Sequence, residues 1–150
     1  MPIHTVEYPS NDPNVSSADV LRKAGPLIQV VVSLPVFPGA AQAAAGQQVQ
    51  PQQVFALIDT GASDSAIDEQ LATNLQLPII DRQTLGGVAG PKVHNVYMGQ
   101  IEDTNMKRAS RGRFAGVTLQ QHFSVILGRE FLQNTVFIYD GATGRIQLMA

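Results

Sequence analysis

The sequence has no cysteine among its 150 residues. This excludes disulfides, thiolate nucleophiles and cysteine-based zinc sites, and says nothing about compartment. Charged residues make up only 15%, below the usual quarter, while 44% of residues are hydrophobic. The chain can therefore bury a core, and wholesale disorder is excluded. The net charge of −2 and pI near 5.8 argue against a dedicated nucleic-acid or anionic-membrane binder. Long apolar runs are also missing. Stretches such as Val30–Val32 fall far short of the roughly 20 residues a membrane helix needs. Residues 1–10 have no basic region and no apolar run, so they do not read as a signal peptide. The expectation is a cytoplasmic, membrane-free location.

The length suits one domain. Four prolines (Pro2, Pro9, Pro13, Pro26) and the turn-rich 10–14 stretch make residues 1–26 read as an extended arm, with one helical turn at Ser17–Lys23. The rest, 27–150, reads as the domain proper. Strands are expected at 27–36, 54–58, 93–101, 114–119, 123–127, 135–139 and 145–149. Residues 38–53 hold six glutamines and five alanines and read as a long hairpin loop. A short helix fits 68–75, with Leu71 and Leu75 four apart and acidic residues in its first turn. One or two helical turns fit 128–134, and 102–113 reads as a polar loop. Many short strands with one or two short helices indicate an all-β closed barrel or sandwich.

Chemistry concentrates at Leu57-Ile58-Asp59-Thr60-Gly61-Ala62-Ser63. A carboxylate directly after a buried apolar strand is costly unless it is used or paired. Thr60 supplies a hydroxyl, and Gly61 permits a tight turn. Alone, an Asp-Thr-Gly triplet is weak evidence. Two further features strengthen it: Ile126-Leu127-Gly128-Arg129 follows, with Gly128 69 positions after Asp59, and the glycine-rich Gly86-Gly87-Val88-Ala89-Gly90 lies between.

Together these segments resemble the retropepsin-like aspartic proteases, over about residues 27–150. The resemblance implies a closed acid-protease barrel and an aspartic endopeptidase needing no cofactor and no metal. There is only one Asp-Thr-Gly; Asp140-Gly141-Ala142 lacks the hydroxyl residue. The resemblance therefore implies a homodimer with Asp59 from each subunit at the two-fold axis. Asp59, Thr60 and Gly61 would form the catalytic loop, with Thr60 bonding across the axis. Ala62, Ser63 and Asp64 would face substrate. Gly86, Gly87, Val88, Ala89 and Gly90 would be the flap that closes over a bound peptide. Ile126, Leu127, Gly128 and Arg129 would support the loop from beneath, and Arg145–Ala150 would join an interface sheet. Viral members often carry Asp at the Ser63 position, paired with the arginine. Here Arg129 must find Asp64, Asp68 or backbone carbonyls instead.

Other signals are weaker. Lys107, Arg108, Arg111 and Arg113 put four of ten cations into seven residues, with no aromatic residue interleaved. They read as a solvated loop, with no nucleic-acid partner. His4, His94 and His122 are isolated and have no acidic companion at ligand spacing. The partners expected are a second copy and a protein or peptide substrate. The alternative function is a non-catalytic module that keeps the fold to dimerise or to hold a peptide.

Overall fold

Apolar, β-branched runs alternating with turn residues give a chain of ten strands and two short helices in the computed structural model, which describes residues 1–35, 49–119 and 122–150. In chain order these are β1 (Ile3–Glu7), α1 (Ser17–Ala24), β2 (Leu27–Ser33), β3 (Gln52–Ile58), β4 (Ser65–Asp68), α2 (Glu69–Asn74), β5 (Ile79–Leu85), β6 (Lys92–Asp103), β7 (Arg108–Val117), β8 (Val125–Leu127), β9 (Val136–Asp140) and β10 (Arg145–Met149). Most of the loop expected over 38–53 lies outside the described residues; its last two positions begin β3.

The larger sheet closes on itself. Its order is β2-β3-β8-β4-β7-β6, and β6 pairs back onto β2. The result is the expected closed barrel, here of six strands, with β5 outside on β6. Closure leaves the ring without free edges. Its interior is filled by Ile28, Val30, Val32, Ala56, Ile58, Ile67, Ile101 and Leu127, all buried. Each short helix opens on a local cap. Ser16 accepts from Asp19 N–H at the start of α1, and Asp68 accepts from Leu71 N–H at the start of α2. No helix among the described residues is long and apolar enough to cross a membrane.

A second, three-stranded antiparallel sheet has the order β1-β10-β9. The first 26 residues are thus built into the fold rather than simply extended. Ile3 to Glu7 pair with Met149 to Arg145, and α1 runs two turns where one was expected. The Tyr8 hydroxyl accepts from Leu27 N–H (2.6 Å) and donates to Leu27 C=O (3.1 Å). Burial pushes the Tyr8 phenol above its ordinary range. His4 Nδ1 lies 2.8 Å from the fully buried Asp103 Oδ2, tying β1 to the end of β6. Asp103 Oδ1 also accepts the N–H groups of Asn105 (3.0 Å) and Met106 (3.3 Å).

One local expectation is corrected. Residues 102–113 are not a polar loop. They form the end of β6, a tight turn with Lys107 at φ 51°, and the start of β7. The cations alternate along a strand: Arg111 and Arg113 are exposed, and Phe114 and Ala115 follow as buried residues. Composition alone reads such a solvent-facing strand edge as a loop. The one or two turns expected over 128–134 are wound tighter than an α-helix. Phe131, Leu132 and Gln133 donate to the carbonyls three positions back, and Asn134 at φ 61° ends the run.

Candidate active site

Strands β3 and β8 lie side by side and parallel, with Ala56, Leu57 and Ile58 opposite Val125, Ile126 and Leu127. Parallel strands end together, so the loops that follow them emerge at one place. The Asp59 N–H extends the ladder by donating to Leu127 C=O at 2.9 Å. The chain then turns sharply: Ala62 N–H donates to Asp59 C=O at 3.2 Å. Gly61 N–H donates to Asp59 Oδ1 at 2.8 Å, which fixes the carboxylate relative to its own loop. A Cβ on Gly61 would stand 3.1 Å from that same oxygen, so a larger residue would crowd the bond.

The segment after β8 holds the loop from below. Arg129 N–H donates to Ala62 C=O (2.9 Å), and Glu130 N–H donates to Ser63 C=O (3.2 Å). The Arg129 guanidinium reaches Thr60 C=O at 2.9 Å. Of the partners open to Arg129, it therefore takes a backbone carbonyl. Gly128 is required by contact: a Cβ there would lie 2.6 Å from Asp64 O and 2.7 Å from Asp64 C. Its N–H donates to the buried Ser65 Oγ at 3.0 Å. Ser65 is a supporting residue that the motif does not announce, because a serine six positions beyond the aspartate carries no signal by itself.

Asp59 is half-buried, whereas Thr60, Gly61, Ser63 and Asp64 are exposed. The loop therefore presents one carboxylate flanked by accessible backbone and by the Ser63 hydroxyl, which donates to Asp64 Oδ2 at 3.1 Å. A cavity of about 510 Å³ opens beside it, walled by Asp64, Ser65, Gln83, Arg113, Ala115 and Glu130. Arg113 pairs with Asp81 at 2.7 Å and holds that carboxyl below its ordinary range, helped by Arg82 N–H. Residues 86–90 join β5 to β6 at an exposed tip, closed by Gly90 N–H to Gly87 C=O (2.9 Å) with Gly90 at φ 97°. Among the described residues the tip makes no hydrogen bond to the 59–64 loop. No group of three or more His, Cys, Asp or Glu side chains among the described residues is placed to hold a metal.

A family model described as "gag-polyprotein putative aspartyl protease" matches residues 45–134, a span containing Asp59, the 86–90 tip and Ile126–Arg129. The chain belongs to the retropepsin-like aspartyl protease family. Among solved structures, a retropepsin-like aspartic protease from Rickettsia conorii is similar, with a TM-score of 0.52 and 14% identity over 97% of this chain and 91% of that one. EIAV protease in complex with the inhibitor HBY-793 is also similar (TM-score 0.47, 19% identity, 73% of this chain and 86% of that one). No curated sequence matches the chain. The fold of this chain is retropepsin-like.

Proposed function

We propose that this protein is an aspartic endopeptidase whose active site is completed when two copies bring their Asp59 residues together. The observation that carries the reading is the single carboxylate at the end of β3. It is clamped by Gly61 N–H in a loop that Leu127, Gly128, Arg129 and Glu130 hold from beneath. One carboxylate cannot be both acid and base in the same step. Two held about 3 Å apart share one proton, so one is charged and the other neutral. The charged member takes a proton from water as the water oxygen attacks the scissile carbonyl, and the neutral member protonates the carbonyl oxygen. Collapse of that adduct returns a proton to the departing amine.

In this reading residues 27–150 are the catalytic domain, to which 1–26 contribute structure. Thr60 and Gly61 shape the loop, while Ala62, Ser63 and Asp64 meet the peptide backbone. The 86–90 flap closes over the substrate, and no cofactor or metal takes part. Accessible backbone at 60–64 suits an extended peptide, and the glycines of the flap allow hinge motion. Hydrolysis of a fluorogenic peptide library, with and without pepstatin, tests the proposal. Cleavage that pepstatin blocks and Asp59→Asn abolishes supports it. A folded, dimeric protein that cleaves nothing would leave the non-catalytic binding module instead.

A further inference from the structure

The cavity of about 510 Å³ beside the Asp59 loop has unbalanced charge. Its walls carry three carboxylates, Asp64, Asp81 and Glu130, against one cation, Arg113. Arg113 is already committed: it donates to Asp81 at 2.7 Å, and the two cancel. Asp64 accepts from the Ser63 hydroxyl at 3.1 Å. Among the described residues no cation pairs with Asp64 or Glu130. These two residues share one wall. Glu130 Oε2 stands 2.7 Å from where a Cβ on Gly128 would lie, and the Asp64 carbonyl oxygen stands 2.6 Å from the same point. The floor is different in kind. Strands β5, β6 and β7 run side by side there, with Asp81 opposite Val96 and Val96 opposite Ala115. Val96 and Ala115 bring only alkyl groups to the cavity.

We propose that this cavity is a specificity subsite that takes a lysine or arginine side chain of the peptide, with Asp64 and Glu130 facing its charge. The inference rests on the protease reading and adds the class of substrate to it. An alkyl floor beneath two uncommitted carboxylates matches a side chain with an apolar stem and a cationic head. Leucine or phenylalanine would fill the floor but leave the carboxylates unanswered. Glutamate would meet them as a like charge, because the one guanidinium is held by Asp81. Asp64 belongs to the same loop as Asp59, so a peptide lying along that loop passes the cavity close to the bond that is cut. Every residue lining the cavity belongs to one chain, so the subsite does not need a second copy to form. Asp64 and Glu130 are exposed, which limits the gain to about fivefold for each and makes it sensitive to salt.

Octapeptide pools fixed at one position with Lys, Glu or norleucine, which keeps an alkyl stem without charge, test the subsite on the full chain. The readout is kcat/KM for Lys divided by that for norleucine. At one position the ratio should be about fivefold or more at low salt and should shrink as ionic strength rises. Asp64→Asn and Glu130→Lys should each lower it, and the two together should bring it to unity or below. A ratio is read, so a general loss of rate in a variant does not mimic the result. A wild-type ratio near unity at every position, a preference for Glu, or a Lys preference that survives both substitutions would overturn the proposal. Binding separates the subsite from the protease reading. Fluorescein-labelled pools on the Asp59→Asn chain give the same ratio in Kd without cleavage. If the wild-type chain cuts nothing while binding still favours Lys and Glu130→Lys abolishes that preference, the subsite stands and the protease reading falls. Cleavage without a Lys preference keeps the protease and removes the subsite, and neither cleavage nor a binding preference overturns both.

Discussion

The guanidinium of Arg129 donates to the carbonyl of Thr60 at 2.9 Å across 69 positions of chain. This contact fixes the residue next to Asp59 to the segment after β8. The pair is exposed, so its contribution to stability is no more than that of an ordinary hydrogen bond, about 1 kcal/mol. Its effect on catalysis should be larger, because a small displacement of a reacting group costs orders of magnitude in rate. Arg129→Ala is expected to lower kcat/KM at least tenfold while moving the urea midpoint only slightly. Equal losses in stability and activity would contradict this division.

Support from Ser65 and Gly128 should register as stability. Ser65→Ala leaves the buried Gly128 N–H without an acceptor, at a cost of about 2 kcal/mol. Gly128→Ala pushes a methyl into the Asp64 backbone and should cost at least as much. Urea unfolding of the two variants measures both values. A neutral Gly128→Ala would show that the loop and its support are not in the contact described.

The His4–Asp103 pair implies that the first strand cannot be discarded. Both side chains are buried, and Asp103 is fully inaccessible. Leaving one member of a buried hydrogen-bonded pair without its partner costs about 2 kcal/mol. Asp103→Ala and His4→Ala should each lower stability by about that amount. Deletion of residues 1–7 should cost more, because it also strips one edge of β10. A truncated chain as stable as the full one, by thermal melting, would make the N-terminal segment dispensable.

Acid should act on the turn between β9 and β10. Asp140 accepts from Thr143 Oγ1 (2.5 Å), Thr143 N–H (3.1 Å) and Ala142 N–H (3.1 Å), and these bonds hold its carboxyl below the ordinary 3.8. A depressed carboxyl adds stability that is present above its unfolded-state value and lost as pH falls through the folded one. The Tm advantage of the native chain over Asp140→Asn should therefore be full above about pH 5 and shrink toward about pH 2. An advantage that stays constant over that range would contradict the assignment.

Much of this was legible in the sequence because its signals are local. Val54–Ile58 running into Asp59-Thr60-Gly61, and Val125–Leu127 running into Gly128-Arg129, each mark a strand that ends in a special turn. The closed barrel and the pairing of the two segments follow the family resemblance they carry. What escaped depends on distant partners. Strand β1 is apolar only at Ile3 and Val6, and it becomes a strand because β10 offers it an edge. Arg111 and Arg113 sit on a strand because β6 pairs with them, while their composition says loop. Ser65 matters through Gly128, a relation across 63 positions that no spacing rule exposes.

Mixing wild-type and Asp59→Asn chains before refolding tests the shared site most directly. If each active site needs Asp59 from both copies, a mixed dimer has one functional carboxylate and is inactive. With equal amounts and random pairing, activity per total dimer should fall to about a quarter and follow the square of the wild-type fraction. Complete subunit mixing is established first with differently tagged chains. A straight line through about a half of the activity at equal amounts would mean that each chain works alone, and would contradict a site built from two.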